Sequence, residues 1–187
     1  MERTSRLPYA IATAVAVPAA IATGVTMWLV SRPQPAGDSG PVPAAPLPVS
    51  FAPPAPGRAA SCQALVGRLP ANLLEAARRP VAGPGDRFAA AFGAPPIVVR
   101  CDAARQAVAR TDLVYLVSGT CWATRPAGDS TSWTTVDRDI AVGVSVPNHY
   151  SSQGQYIEAL AGAVRDTLAR SEALPSGCRA APGPSGG

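Results

Sequence analysis

"DIAVGVSV", residues 139–146, is the stretch on which the fold turns. Ile140, Val142, Val144 and Val146 share one parity, and Ala141, Gly143 and Ser145 share the other. Successive side chains of a strand point to opposite faces, so this pattern predicts a half-buried strand, bulky inward and small outward.

Working outward, "PIVVRC" (96–101), "DLVYLV" (112–117), "TCWAT" (120–124) and "STSWTTV" (130–136) carry the β-branched and aromatic residues that suit strands. Ser118-Gly119 is a two-residue hairpin signal, and "RPAGD" (125–129) is a second turn. Connections this short imply antiparallel pairing, because a parallel crossover needs a dozen or more residues. From Gln153 to Arg170, Tyr156, Ile157, Leu160, Ala161, Val164 and Leu168 recur on one helical stripe. Glu158, Arg165, Asp166 and Arg170 face away, with Asp166 and Arg170 spaced as a favourable i,i+4 pair. The expected fold class is therefore α+β: a small antiparallel sheet with a C-terminal packing helix.

Upstream of residue 96 the pattern predicts three short helices. Ser61 caps the first, which carries Leu65, Val66 and Leu69 and ends at Pro70. "NLLE" (72–75) has capping-box spacing and opens the second. Asp86 caps a third turn through Phe88 to Phe92, stopped by Gly93.

Residues 9–30, "YAIATAVAVPAAIATGVTMWLV", are uncharged and about as long as a bilayer core requires. Tyr9 and Trp28 stand near the ends, and Arg3 and Arg6 precede the segment. It reads as a single-pass transmembrane signal anchor with residues 1–8 cytoplasmic and the rest exported. A cleaved signal peptide is the competing reading, and it exports the domain too. Residues 31–59 are rich in Pro, Ala, Gly and Ser and read as a semi-rigid linker. Residues 60–174 form the extracytoplasmic domain, and 175–187 a flexible tail. The expected location is the plasma membrane.

All sixteen basic residues are arginine, and abundant Ala, Pro and Gly accompany them, which is a GC-rich codon signature. The arginines are scattered among carboxylates and make no basic stripe, so the pI near 9.2 does not indicate nucleic-acid binding. "GDSGP" (37–41) has the look of a serine-protease nucleophile region around Ser39. The single histidine, the short chain and the linker setting exclude that chemistry.

Cys62, Cys101, Cys121 and Cys178 all follow the anchor, and an even number on the oxidising side favours disulfides. No C-x-x-C spacing is present, so no metal and no cofactor is expected. Arg100 beside Cys101 suggests an activated thiolate, but strand alternation sends the two side chains to opposite faces. Three connectivities are open. Cys62–Cys101 with Cys121–Cys178 is favoured, because it ties the lead-in to the first strand and the tail to the sheet.

"C-x-x-L-x-x-x-LP" (62–70), "RRPV" (78–81), "FGAPPIVVRC" (92–101) and "WTTVDRDIAVGVSVP" (133–147), followed by the closing helix, resemble the actinobacterial family called domain of unknown function 3515. The resemblance implies a membrane-anchored or secreted envelope protein, with no activity and no catalytic residue to transfer. It departs at Phe92-Gly93, where members often carry Trp-Gly. In the family pattern Cys62 and Cys101 belong, whereas Cys121 and Cys178 are additions.

For a site, "TTVDRD" (134–139) is the candidate surface. Its plain reading is a tight turn in which Asp137 or Asp139 caps the backbone. Its sharper reading is a recognition edge of Arg100, Trp122, Trp133, Asp137 and Arg138, because Arg and aromatic residues dominate binding hot spots. Two function classes follow. One is a non-catalytic binding or accessory module whose partner is an envelope protein or wall component. The alternative is an exported hydrolase or thiol-dependent enzyme using His149 with Asp137 or a cysteine.

Overall fold

The structure is a computed structural model that describes residues 45–178. The expected cytoplasmic tail, the 9–30 anchor and most of the linker lie outside the described residues. Among the described residues no helix is long and apolar enough to cross a membrane.

The elements run β1 (Leu47–Pro48), α1 (Ala59–Arg68), β2 (Asn72–Leu73), β3 (Ala76–Arg79), β4 (Val81–Ala82), β5 (Ala89–Phe92), β6 (Ile97–Cys101), β7 (Val114–Val117), β8 (Thr120–Ala127), β9 (Ser130–Thr135), β10 (Val142–Pro147) and α2 (Gln153–Thr167). Eight strands form one antiparallel sheet in the order β2-β3-β5-β6-β10-β9-β8-β7. The opening stretch supplies β10, which sits centrally between β6 and β9. Ser118 and Gly119 both take positive φ, as a hairpin matched to the strand twist requires, and Val117 pairs with Thr120.

Alternation sorts the sheet into two faces. Ile97, Val99, Cys101, Val142, Val144, Val146, Trp122 and Trp133 belong to the main core. They meet Cys62, Leu65 and Leu69 of α1 and its end, and Tyr156, Ile157, Leu160 and Val164 of α2. Each buried aliphatic side chain there contributes about 1.5–3 kcal/mol. Both helices therefore cover one face. The outer face carries the opposite parity: Val98, Arg100, Gly143, Ser145, Ser132 and Thr134.

The two disulfides divide in the same way. Cys62–Cys101 binds α1 to the core face, and Cys121–Cys178 binds the C-terminal segment to the outer face. Cys121, Ala123, Val136 and Cys178 make a small second cluster there.

The lead-in differs from its expected form. "NLLE" is not helical: Asn72–Leu73 pairs with Ala76–Ala77 as a tight β2–β3 hairpin. Leu73 and Ala76 are fully buried, so packing overrides the capping-box signal. The third helix shrinks to one 3-10 turn, Asp86–Phe88, and Ala89–Phe92 becomes a strand with every residue buried. Gly93 stops no helix. Its φ is +71°, and a Cβ there would lie 2.3 Å from the Tyr150 Oη, whose hydroxyl donates to the Pro95 carbonyl at 2.7 Å. Ser61 lies inside α1, whose N-cap is Arg58. α2 ends at Thr167, before the Asp166–Arg170 pair can form. Asp166 instead accepts from Arg165 at 3.0 Å, and Arg170 donates to the Cys178 carbonyl.

The folded unit also takes in residues 47–58, which composition assigned to the linker. Leu47–Pro48 pairs in parallel with β4, and the Val49 and Phe51 amides donate to the Ala82 and Pro84 carbonyls at 2.9 Å. Gly83 makes this approach possible, because a Cβ there would lie 2.4 Å from the Val49 carbonyl oxygen. Asp102 completes the tie. It accepts from the Ala55 amide at 2.8 Å and from Arg58 at 2.7 Å.

Candidate functional site

The sheet separates the residues that the sequence grouped. Trp122 and Trp133 lie in the main core, and the Trp133 indole donates to Gln153 of α2 at 3.1 Å. Asp137 and Arg138 are 0 % and 4 % exposed, so "TTVDRD" is not a solvent-facing turn. The Arg138 guanidinium donates to the Leu168 and Gly119 carbonyls and to the Thr120 hydroxyl, at 3.4, 3.0 and 3.1 Å. Its Nε lies 3.5 Å from Asp137, whose carboxylate oxygens accept no hydrogen bond among the described residues. The chain on either side bonds to the segment after α2: Asp139 N–H to Ala169 O, and Ser171 N–H to Asp137 O. Arg138 thus fastens the end of α2 to the β7–β8 turn. A buried ion pair of this kind is costly to break, because either partner alone would be an uncompensated charge.

His149 is exposed and sets its ring edge-on to Tyr150. Asp137 is enclosed in a different part of the fold, with Arg138 as its ion-pair partner. All four cysteines are in disulfides, which leaves no thiol to act as a nucleophile.

Arg100 stands apart from these groups. Strand parity places it opposite Cys101, on the outer face, as alternation predicts. Two cross-strand rows meet there. Arg100 pairs with Gly143 and Gly143 with Thr134; Val98 pairs with Ser145 and Ser145 with Ser132. These six residues, with Phe51, Ala103 and Ala104, line a cavity of about 290 Å³. Gly143 forms part of its floor, where a Cβ would lie 2.9 Å from that of Ala103. The Arg100 guanidinium sits over the Phe51 ring, 5.0 Å from its centroid. Its Nε is buried without a hydrogen-bond partner among the described residues. A cation held against an aromatic face gains about 0.5–2 kcal/mol, yet none of its directional N–H bonds is satisfied by the ring.

Asp102 faces Arg100 as well but is committed elsewhere. Burial pushes its carboxyl up, but the Ala55 amide, Arg58 and the nearby Arg100 charge outweigh this and hold it below the usual range. Arg58 makes the direct ion pair with Asp102 at 2.7 Å, so Arg100 meets that carboxylate only at longer range and is the charged residue of the cavity lining.

Phe51 and Ser132 line the cavity but were missed by sequence reasoning, which included Thr134 only as the first residue of "TTVDRD". Phe51 is the one aromatic residue in 31–59, and that isolation within a proline-rich stretch was a usable signal. Ser132 and Thr134 follow from Gly143 and Ser145 once the β9–β10 register is known.

No curated protein and no solved structure matches the chain. A family model described as "Protein of unknown function (DUF3515)" matches residues 11–173. With the match spanning the whole sheet and both helices, the chain belongs to that family.

Proposed function

We propose that this chain is a non-catalytic binding or accessory module of the actinobacterial cell envelope, anchored by residues 9–30 and exported. The outer-face groove around Arg100 is its recognition site. The observation that carries this reading is the Arg100 guanidinium itself. It is positioned by Phe51, lines a cavity and has a buried Nε that no hydrogen bond satisfies. A buried donor with no protein partner is uncommon, and this one belongs to the charged residue of the cavity lining. Two disulfides support export, because such bonds persist in oxidising compartments.

The test places a photo-crosslinking residue at Ser132 in the full chain, expressed in its native envelope. One discrete adduct is expected from Ser132, lost with Arg100→Gln and not formed from the exposed Arg87, which does not line the cavity. Absence of an adduct at Ser132, or an adduct indifferent to Arg100, overturns the proposal.

A further inference from the structure

Resting on that reading of the groove, we infer that its ligand is a carboxylate monoanion borne by a small, short chain end, of which a peptide terminus ending in a small residue is the fitting chemistry. Charge gives the first argument. The cavity is lined by one cation, Arg100, and the neighbouring Arg58 charge is consumed by Asp102 at 2.7 Å. Arg125 stands in the same cross-strand row as Ser132, but it donates to the Ala107 carbonyl and lines a different cavity. A single guanidinium matches one negative charge. Sites for phosphate dianions gather several donors or cations.

Geometry gives the second. The guanidinium presents a planar fork that donates two parallel bonds to a carboxylate, and the contact with the Phe51 ring uses none of those donors. The buried Nε is one of the donors such a pairing satisfies.

Size and lining give the third. At about 290 Å³ the cavity lies at the small end of ligand clefts. Its floor is Gly143 and its walls are Ala103, Ala104 and Val98, with hydroxyls from Ser132, Thr134 and Ser145. Backbone groups of β6, β9 and β10 are spent on the sheet, so recognition must come from these side chains. A methyl-sized substituent suits the alanine and glycine side of this lining. The Ser132 and Thr134 hydroxyls can bond one amide next to the carboxylate, while the Ser145 hydroxyl already donates to Ser130 at 3.1 Å.

The test titrates N-acetyl-Ala-Ala into the full chain in detergent while following the Arg100 Nε–H resonance by NMR. The C-terminal amide of the same dipeptide, acetate and inorganic phosphate serve as comparison probes. The acid is expected to shift the resonance and to bind about tenfold or more tightly than its amide, the value of one charge-assisted bond. It should also exceed acetate, which distinguishes a chain end from a free small carboxylate. Arg100→Lys should weaken the acid about tenfold, because the charge remains but the fork is lost. Equal binding of acid and amide, preference for phosphate, or no shift with any probe overturns the carboxylate inference. If the Ser132 adduct persists in that case, the groove stands and only the ligand class falls. If the adduct is absent too, the binding site itself falls.

Discussion

The two faces of the sheet are built from the same strands and do opposite things. The core face is aliphatic and aromatic, covered by α1 and α2, and closed by Cys62–Cys101. The outer face is small and hydroxylated at its centre, partly covered by Phe51 and the C-terminal segment, and fixed by Cys121–Cys178. Alternate residues of β6 show the contrast: Ile97, Val99 and Cys101 are buried, while Val98 and Arg100 are half-buried. One parity of the chain builds the main core, and the other lines the cavity around Arg100.

That contrast can be broken by substitution, starting with the largest effect. Replacing Cys62 and Cys101 with serine releases a crosslink with a sequence separation of 39 residues. By chain entropy it contributes about 4 kcal/mol, comparable with the whole stability of a small domain. Urea unfolding should show that loss. The Cys121–Cys178 pair, with a similar entropic value, should cost less when removed. It anchors a four-residue cluster and not the main core. Equal or reversed losses would contradict the division of labour.

Next comes the buried pair. Arg138→Met strands the Asp137 carboxylate at 0 % exposure and should cost about 3 kcal/mol in the same assay. Adding Asp137→Asn should return part of it. If the double variant is as unstable as the single one, the loss belongs to the carbonyl contacts of Arg138 and not to the stranded charge.

Gly93→Ala is smaller, more than about 1 kcal/mol, because a side chain is strained at φ +71° and meets the Tyr150 hydroxyl. Tyr150→Phe removes that oxygen, so the double variant should fall short of the sum of the two single losses. Full additivity would mean that the backbone alone sets the cost.

A pH effect sharpens the outer face. The Asp102 carboxyl is held below its ordinary range, so its stabilisation is complete above the unfolded value near 4 and fades as pH falls through the folded one. An acid titration followed at the Ala55 amide should show the lead-in loosening in that direction. Asp102→Asn should flatten the response.

How much of this was legible beforehand follows from what each residue's signal depended on. The strands from 97 to 147, the hairpin at Ser118-Gly119, α2 and the presence of disulfides were readable from period-2 alternation, turn chemistry and an even cysteine count, whereas the pairing was one favoured choice among three. The β2–β3 hairpin and β5 were not. "NLLE" and "RFAAAF" have helical propensity, and only burial of Leu73, Ala76 and Phe92 under the helices makes them extended. The candidate site was half legible. Alternation sent Arg100 to its own face, but the same rule applied to Trp122 and Trp133 needs the register to show that they lie opposite it. Asp137 and Arg138 read as a turn because charged residues usually are exposed. Their burial depends on the carbonyls of Gly119 and Leu168, which no local pattern brings near.

The division between faces is tested most directly at its smallest expected effect, the unfolding free energy of Arg100→Gln measured in urea. Arg100 makes a ring contact but no hydrogen bond among the described residues, so the loss should stay below about 2 kcal/mol. A loss of about 3 kcal/mol or more would make Arg100 a structural residue like Arg138 and contradict a face kept free for binding.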